Sequence, residues 1–156
     1  MRFLHATGLL LLVASPILTA SCDDAPFGHL PDDAVIRWGT SFGECIGYCT
    51  QEVEVTPTLA RLTRTSSDPS HYPARVEERD VSGATWSDLR AAVEASDITS
   101  LDDIYGCPDC ADGGAEWVEV ETQGSKKKVV FEAGDPPRGV ASLVDALRSV
   151  RSAFPD

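Results

Sequence analysis

The stretch "EWVEVETQGSKKKVVFE", residues 116–132, decides the fold class. Over 116–122 the residues alternate, sending Val118 and Val120 to one side and Trp117, Glu119 and Glu121 to the other. That period of two is the pattern of a half-buried strand. Residues 127–132 repeat it with Val129 and Phe131, and Gln123-Gly124-Ser125-Lys126 between the two runs has turn chemistry. The stretch therefore predicts a β-hairpin with Val118, Val120, Val129 and Phe131 buried.

C-terminal to the hairpin the period changes. Asp135-Pro136 reads as an N-cap followed by proline at the first helical position. Val140, Leu143, Val144, Leu147, Val150 and Phe154 then form the clearest helical stripe in the chain, a cover for the sheet. Upstream, Thr85 with Asp88 three residues on reads as a second cap, and Trp86, Leu89 and Val93 fall on one helical face. The connector "SDITSLDDIYG" should point Ile98, Leu101, Ile104 and Tyr105 inward.

Further upstream lie a short apolar strand at 34–38 and an alternating strand at 52–58. Pro57 should interrupt the second ladder or mark a bulge or an edge, with pairing resumed over 59–64. "SSDPS" is a turn by composition, and 72–81 is a weaker strand. Strands joined by turns, with helices to cover them, imply an α+β domain over 34–156. Its expected sheet is mostly antiparallel, of about four to six strands, with two main helices on one face.

The N-terminus concerns destination. Arg2 precedes an apolar run over 8–20. That run is shorter than the roughly 20 residues needed to span a bilayer, and it fits the apolar core of a secretory signal. Leu18-Thr19-Ala20-Ser21-Cys22 resembles the bacterial lipoprotein signal, or lipobox, with Thr19 where an aliphatic residue is more usual. By that resemblance residues 1–21 are removed and Cys22 is acylated, so the chain is exported and lipid-anchored in a bacterial envelope. Asp23 and Asp24 fit a pattern of inner-membrane retention but do not decide between membranes. Residues 22–33, acidic and without period, read as a flexible tether.

Charge narrows the partners. The chain carries 13 Lys and Arg against 25 Asp and Glu, a net charge of −12. Such a surface repels nucleic acid and anionic headgroups, so lipid rather than electrostatics must supply the membrane contact. Lys126-Lys127-Lys128 reads as a solvated hairpin face. Catalytic constellations are thin. His29 and His71 have no evident nucleophile beside them in sequence, and the acid pairs Glu77-Glu78 and Asp102-Asp103 suit a solvated surface. "ADGGAE" leads into a strand and carries carboxylates, so it is no phosphate loop.

Beyond Cys22, four cysteines remain: Cys45, Cys49, Cys107 and Cys110. Export and an even count favour two disulfides, in any of three pairings. Cross-links between the two pairs would close loops of about 60 residues, worth roughly 4 kcal/mol, against about 2 for a ring of about four. The same four cysteines could instead make a zinc site, although Cys-x-x-x-Cys is an unusual half-site. Asp109, Asp112 and Glu116 add oxygen ligands but match no calcium-loop spacing. A redox role for Cys107-Pro-Asp-Cys110 needs a helix start to lower a thiol pKa, and Ala111-Asp112-Gly113-Gly114 is a poor one.

"SFGECIGYCTQEVEV" resembles the opening of a family of uncharacterised bacterial lipoprotein-type domains with a Cys-x-Gly-x-Cys-like turn. The likeness runs on through "ASDITSLDDIYG", the hairpin and "VASLVDALRSV", and "GCPDCADGGAEW" resembles a cysteine-richer branch. Thr50 stands where the simpler pattern has proline. Members with only the first pair imply local bridges, Cys45–Cys49 and Cys107–Cys110. The family carries no established activity, so no catalytic residue and no cofactor follow from it. The expectation is an envelope-anchored, non-catalytic binding domain stiffened by two disulfides. A zinc module using the four cysteines, and more remotely a thiol oxidoreductase, are the alternatives.

Overall fold

A computed structural model describes residue 27 and residues 29–155. The expected leader over 1–21, Cys22, Asp23 and Asp24 lie outside the described residues. No helix among the described residues is long and apolar enough to cross a membrane.

Seven strands form one sheet: β1 (Val35–Ser41), β2 (Thr50–Val55), β3 (Leu59–Thr65), β4 (Arg75–Asp80), β5 (Ile104–Tyr105), β6 (Ala115–Glu121) and β7 (Lys126–Glu132). Their order is β4-β3-β2-β1-β6-β7-β5. Two helices, α1 (Gly83–Glu94) and α2 (Ala141–Ser152), complete the domain.

The register explains the core. Trp38 lies opposite Val53 on one side and Val118 on the other, Val53 opposite Leu62, and Val118 opposite Val129. A second buried row runs Ala60, Val55, Ile36 and Val120. These rows share one face of the pleat. Against them pack Trp86, Leu89 and Val93 of α1 and Leu143, Val144 and Leu147 of α2. Phe27 and Leu30, inside the segment read as tether, are also buried in this cluster. The opposite face is charged: Arg37, Glu54, Arg61, Glu119, Glu121 and Lys126 are joined there by ion pairs.

The expected sheet of four to six mostly antiparallel strands needs correction: the sheet is seven-stranded and mixed. Pro57 does not interrupt a strand but sits in a turn between two of them. There Thr56 Oγ1 accepts from the Leu59 N–H at 3.1 Å, closing a hairpin in which the imide nitrogen of proline is not needed as a donor. Ile104–Tyr105, read as connector, adds a seventh strand parallel to β7, pairing Ile104 with Val130 and Tyr105 with Phe131. Two residues are too short to show a period, and a parallel neighbour arrives through a crossover rather than a turn. The other inward expectations divide. Ile98 is buried and Leu101 and Tyr105 pack on the core, but Ile104 is exposed.

The helix starts also shift. Ser82, not Thr85, caps α1, its side chain accepting from the Thr85 N–H at 3.1 Å. Before α2 the chain stays extended at Pro137 and makes a 3₁₀ turn over Arg138–Val140, so Asp135-Pro136 is not its cap.

Candidate functional site

β1 and β7 end, and β2 and β6 begin, at one pole of the sheet, and two loops meet there. The loop 42–49 leaves β1 and returns as β2, closed by Phe42 N–H donating to the Cys49 carbonyl at 2.9 Å. Within it Cys45 pairs with Cys49, their Cα atoms 5.6 Å apart. The loop 106–114 pairs Cys107 with Cys110, Cα atoms 5.4 Å apart. Both spans lie within the usual range for a disulfide. The structure thus holds the four sulfurs in two local pairs, and long-range cross-links are not formed.

The second loop bends sharply. Asp109, Ala111 and Asp112 all have positive φ, at 63°, 51° and 59°. This left-handed conformation is uncommon away from glycine and is held only where the surroundings fix it. Those fixings are visible. Asp109 N–H donates to the Gly114 carbonyl at 3.1 Å, and Cys107 N–H donates to Glu132 Oε1 at 2.7 Å. Gly114 itself has a φ of 81°, and a side chain there would run into the Phe42 ring.

The loops hold each other as well. Gly43 N–H donates to Asp109 Oδ1 at 3.3 Å. At this shared tip Ile46 is 92% exposed and Phe42 41%. The two loops also carry Glu44, Asp109 and Asp112, and neither contains a lysine or arginine.

Beneath the tip, on the helix-covered face, Glu116 is 2% exposed. Its Oε1 accepts from Trp38 Nε1 at 2.6 Å and Arg148 Nε at 2.9 Å, and its Oε2 from Arg148 Nη2 at 2.7 Å and Gly134 N–H at 2.9 Å. Every lone-pair direction of the carboxylate is used, which is what allows a charge to be buried. The bidentate contact holds Arg148 above its ordinary pKa, against the opposing pull of partial burial.

On the open face Arg37 joins Glu54 at 2.9 Å, Glu119 at 2.8 Å and Glu121 at 2.5 Å. Partial burial lowers the Arg37 pKa, but these hydrogen bonds outweigh it and the net shift is upward. The Lys126-Lys127-Lys128 run is engaged throughout. Lys126 meets Glu119 at 2.9 Å, and Lys127 meets the Leu101 carbonyl and Asp103, each at 2.6 Å. Lys128 stands 4.6 Å from the centre of the Trp117 ring.

The other chemical candidates separate. Among the described residues no group of three or more His, Cys, Asp and Glu side chains is arranged to hold a metal ion. The four cysteines do not converge on one centre, and Asp109 and Glu116 serve loop and core. Cys110–Asp112 forms a single turn broken at Ala111, not the start of a helix that would stabilise a thiolate. Asp68, Ser70 and His71 do cluster. However, Ser70 Oγ donates to Asp68 Oδ1 at 2.5 Å, and both groups face the same ring nitrogen of His71. A nucleophile relay needs Asp and Ser on opposite ring nitrogens, so this is a capped turn. His29 lies near Glu94 and Arg90 on the surface.

Sequence reasoning found the cysteines but missed Ile46, Phe42 and the Gly43–Asp109 link, which exist only once two distant loops are adjacent. Glu116 did leave a signal: it lies in phase with Val118 and Val120, so a carboxylate was due to be buried and to need a cation. No model of a known protein family matches this chain, and no curated protein sequence matches it.

Proposed function

We propose that this chain is an exported, lipid-anchored envelope domain that binds a partner protein through its doubly bridged tip and carries out no chemistry of its own. One observation carries the binding role. Two adjacent short loops, each closed by a disulfide, present an exposed isoleucine and a half-exposed phenylalanine on segments that carry acids and no lysine or arginine. Rigid display of this kind lowers the entropy lost on docking, and solvent-facing apolar side chains stabilise the free protein little. The lipobox-like "LTASC" and the apolar run before it support anchoring through Cys22. The tip lies at the far end of β1 from Val35, so a chain held by its N-terminus would present the tip about 23 Å from the point where the strand begins.

Intact-mass analysis of protein from its own host, with and without alkylation, tests both parts. The expected result is a diacylglycerol- or triacyl-modified Cys22 and no alkylatable thiol among the other four. Unmodified Cys22, four free thiols, or one equivalent of zinc in material prepared without chelators would overturn the reading. For the tip, Ile46→Asp should abolish cross-linking to the partner captured by wild type while leaving the thermal midpoint unchanged.

A further inference from the structure

We infer that the free edge of β4, with the groove beside it, is a second docking surface, one that receives an extended peptide segment alternating cationic and apolar residues. Among the described residues β4 ends the sheet and has only β3 as neighbour. Val81 N–H donates to the Thr58 carbonyl at 3.0 Å, which sets the phase of the ladder. Arg75, Glu77 and Arg79 therefore turn their main-chain groups toward β3, and Val76, Glu78 and Asp80 turn theirs to the open edge. An incoming strand would find three N–H and three C=O groups waiting there.

The groove supplies the side-chain seat. It measures about 650 Å³ and runs along Glu78, Arg79 and Asp80, beneath which lie Val81, Val150 and Phe154. Arg79 stands 5.6 Å from the centre of the Phe154 ring, so the groove has a mixed lining in which Val81, Val150 and Ala153 lie beside Arg79, Thr85 and Ser149. Residues of a docked strand that point to the helix side would enter this groove.

Charge chooses the occupant. Residues pointing the other way would lie across from Asp80 and from Glu78, whose carboxylate also meets Arg61 at 2.9 Å, so cations there are favoured, chiefly by Asp80, and acids are not. A second copy fits poorly, because antiparallel pairing along the full strand sets Glu78 against Glu78. The edge thus discourages its own kind, as charged edge strands do, and admits a strand of complementary pattern. This surface is independent of the tip, and its test does not involve Ile46.

The probe is an acetylated, amidated hexapeptide of alternating lysine and valine, titrated into the domain with amide shifts followed by NMR. Shifts should concentrate at Val76, Glu78 and Asp80, and the same peptide with glutamate for lysine should bind at least about tenfold more weakly. Val76→Pro removes an edge N–H but no β3 bond, so it should weaken binding about tenfold in a folded protein. Ala153→Arg fills the groove with a cation at the end of α2, where a positive charge suits the helix, and should have a similar or larger effect. Undisturbed β4 amides, equal binding of the acidic peptide, unchanged binding by both variants, or a dimer broken by Val76→Pro would each overturn the inference.

Discussion

Glu116 shows what a single side chain can require of its surroundings. Removing a partner from a buried ion pair strands the other and typically costs about 3–5 kcal/mol. Arg148 keeps partial contact with water, so the lower end applies. Glu116→Ala should lower urea-derived stability by about 3 kcal/mol, because the buried Trp38 Nε1 and the Gly134 N–H also lose their acceptor. Glu121 acts through pH. The hydrogen bond from Arg37, and next the charge of Lys126, hold its carboxyl below the ordinary 4.5. A lowered folded-state pKa gives stability that is present above pH 4.5 and is lost as pH falls through the folded value. Thermal midpoints at pH 7 and pH 3 should therefore differ less for Glu121→Gln than for wild type. Strand phase made Glu116 legible in the sequence. The convergence of three acids on Arg37 was not, because β1, β2 and β6 are neighbours only in the folded sheet.

At the scale of elements, local periodicity carried most of the reading. The hairpin of β6 and β7 and the apolar stripe of α2 were visible because each carries an apolar row to the core, although β6 is buried on its other face as well. Boundaries were less visible, since several residues near a helix start can serve as its cap. The Ser82 cap can be checked directly: Ser82→Ala should cost about 1 kcal/mol and Thr85→Ala much less, measured by chemical denaturation. Had Thr85 been the cap, the order would be reversed. β5 lies at the other extreme. Its two residues are a strand only because β7 offers an edge, so nothing local announced it.

For the molecule as a whole, the two bridges differ in their exposure. Cys49 is 7% exposed, whereas Cys107 and Cys110 both lie open to solvent. Thiol exchange requires access to a sulfur. Stepwise reduction with differential alkylation should label Cys107 and Cys110 before Cys45 and Cys49. The loss of stability at that first step should be small, about 2 kcal/mol for so short a ring. The placement of β1 has a kinetic consequence. The first strand among the described residues lies in the middle of the sheet, flanked by β2, its immediate successor, and by β6, which follows four other elements of the sheet and helix layers. As the chain emerges from its N-terminus, one flank of β1 must stay unzipped until much of the polypeptide has appeared. Refolding of the whole domain should accordingly belong to the millisecond-to-second class set by distant pairings, and a fragment ending before Ala115 should leave that flank open to chaperones and to other chains.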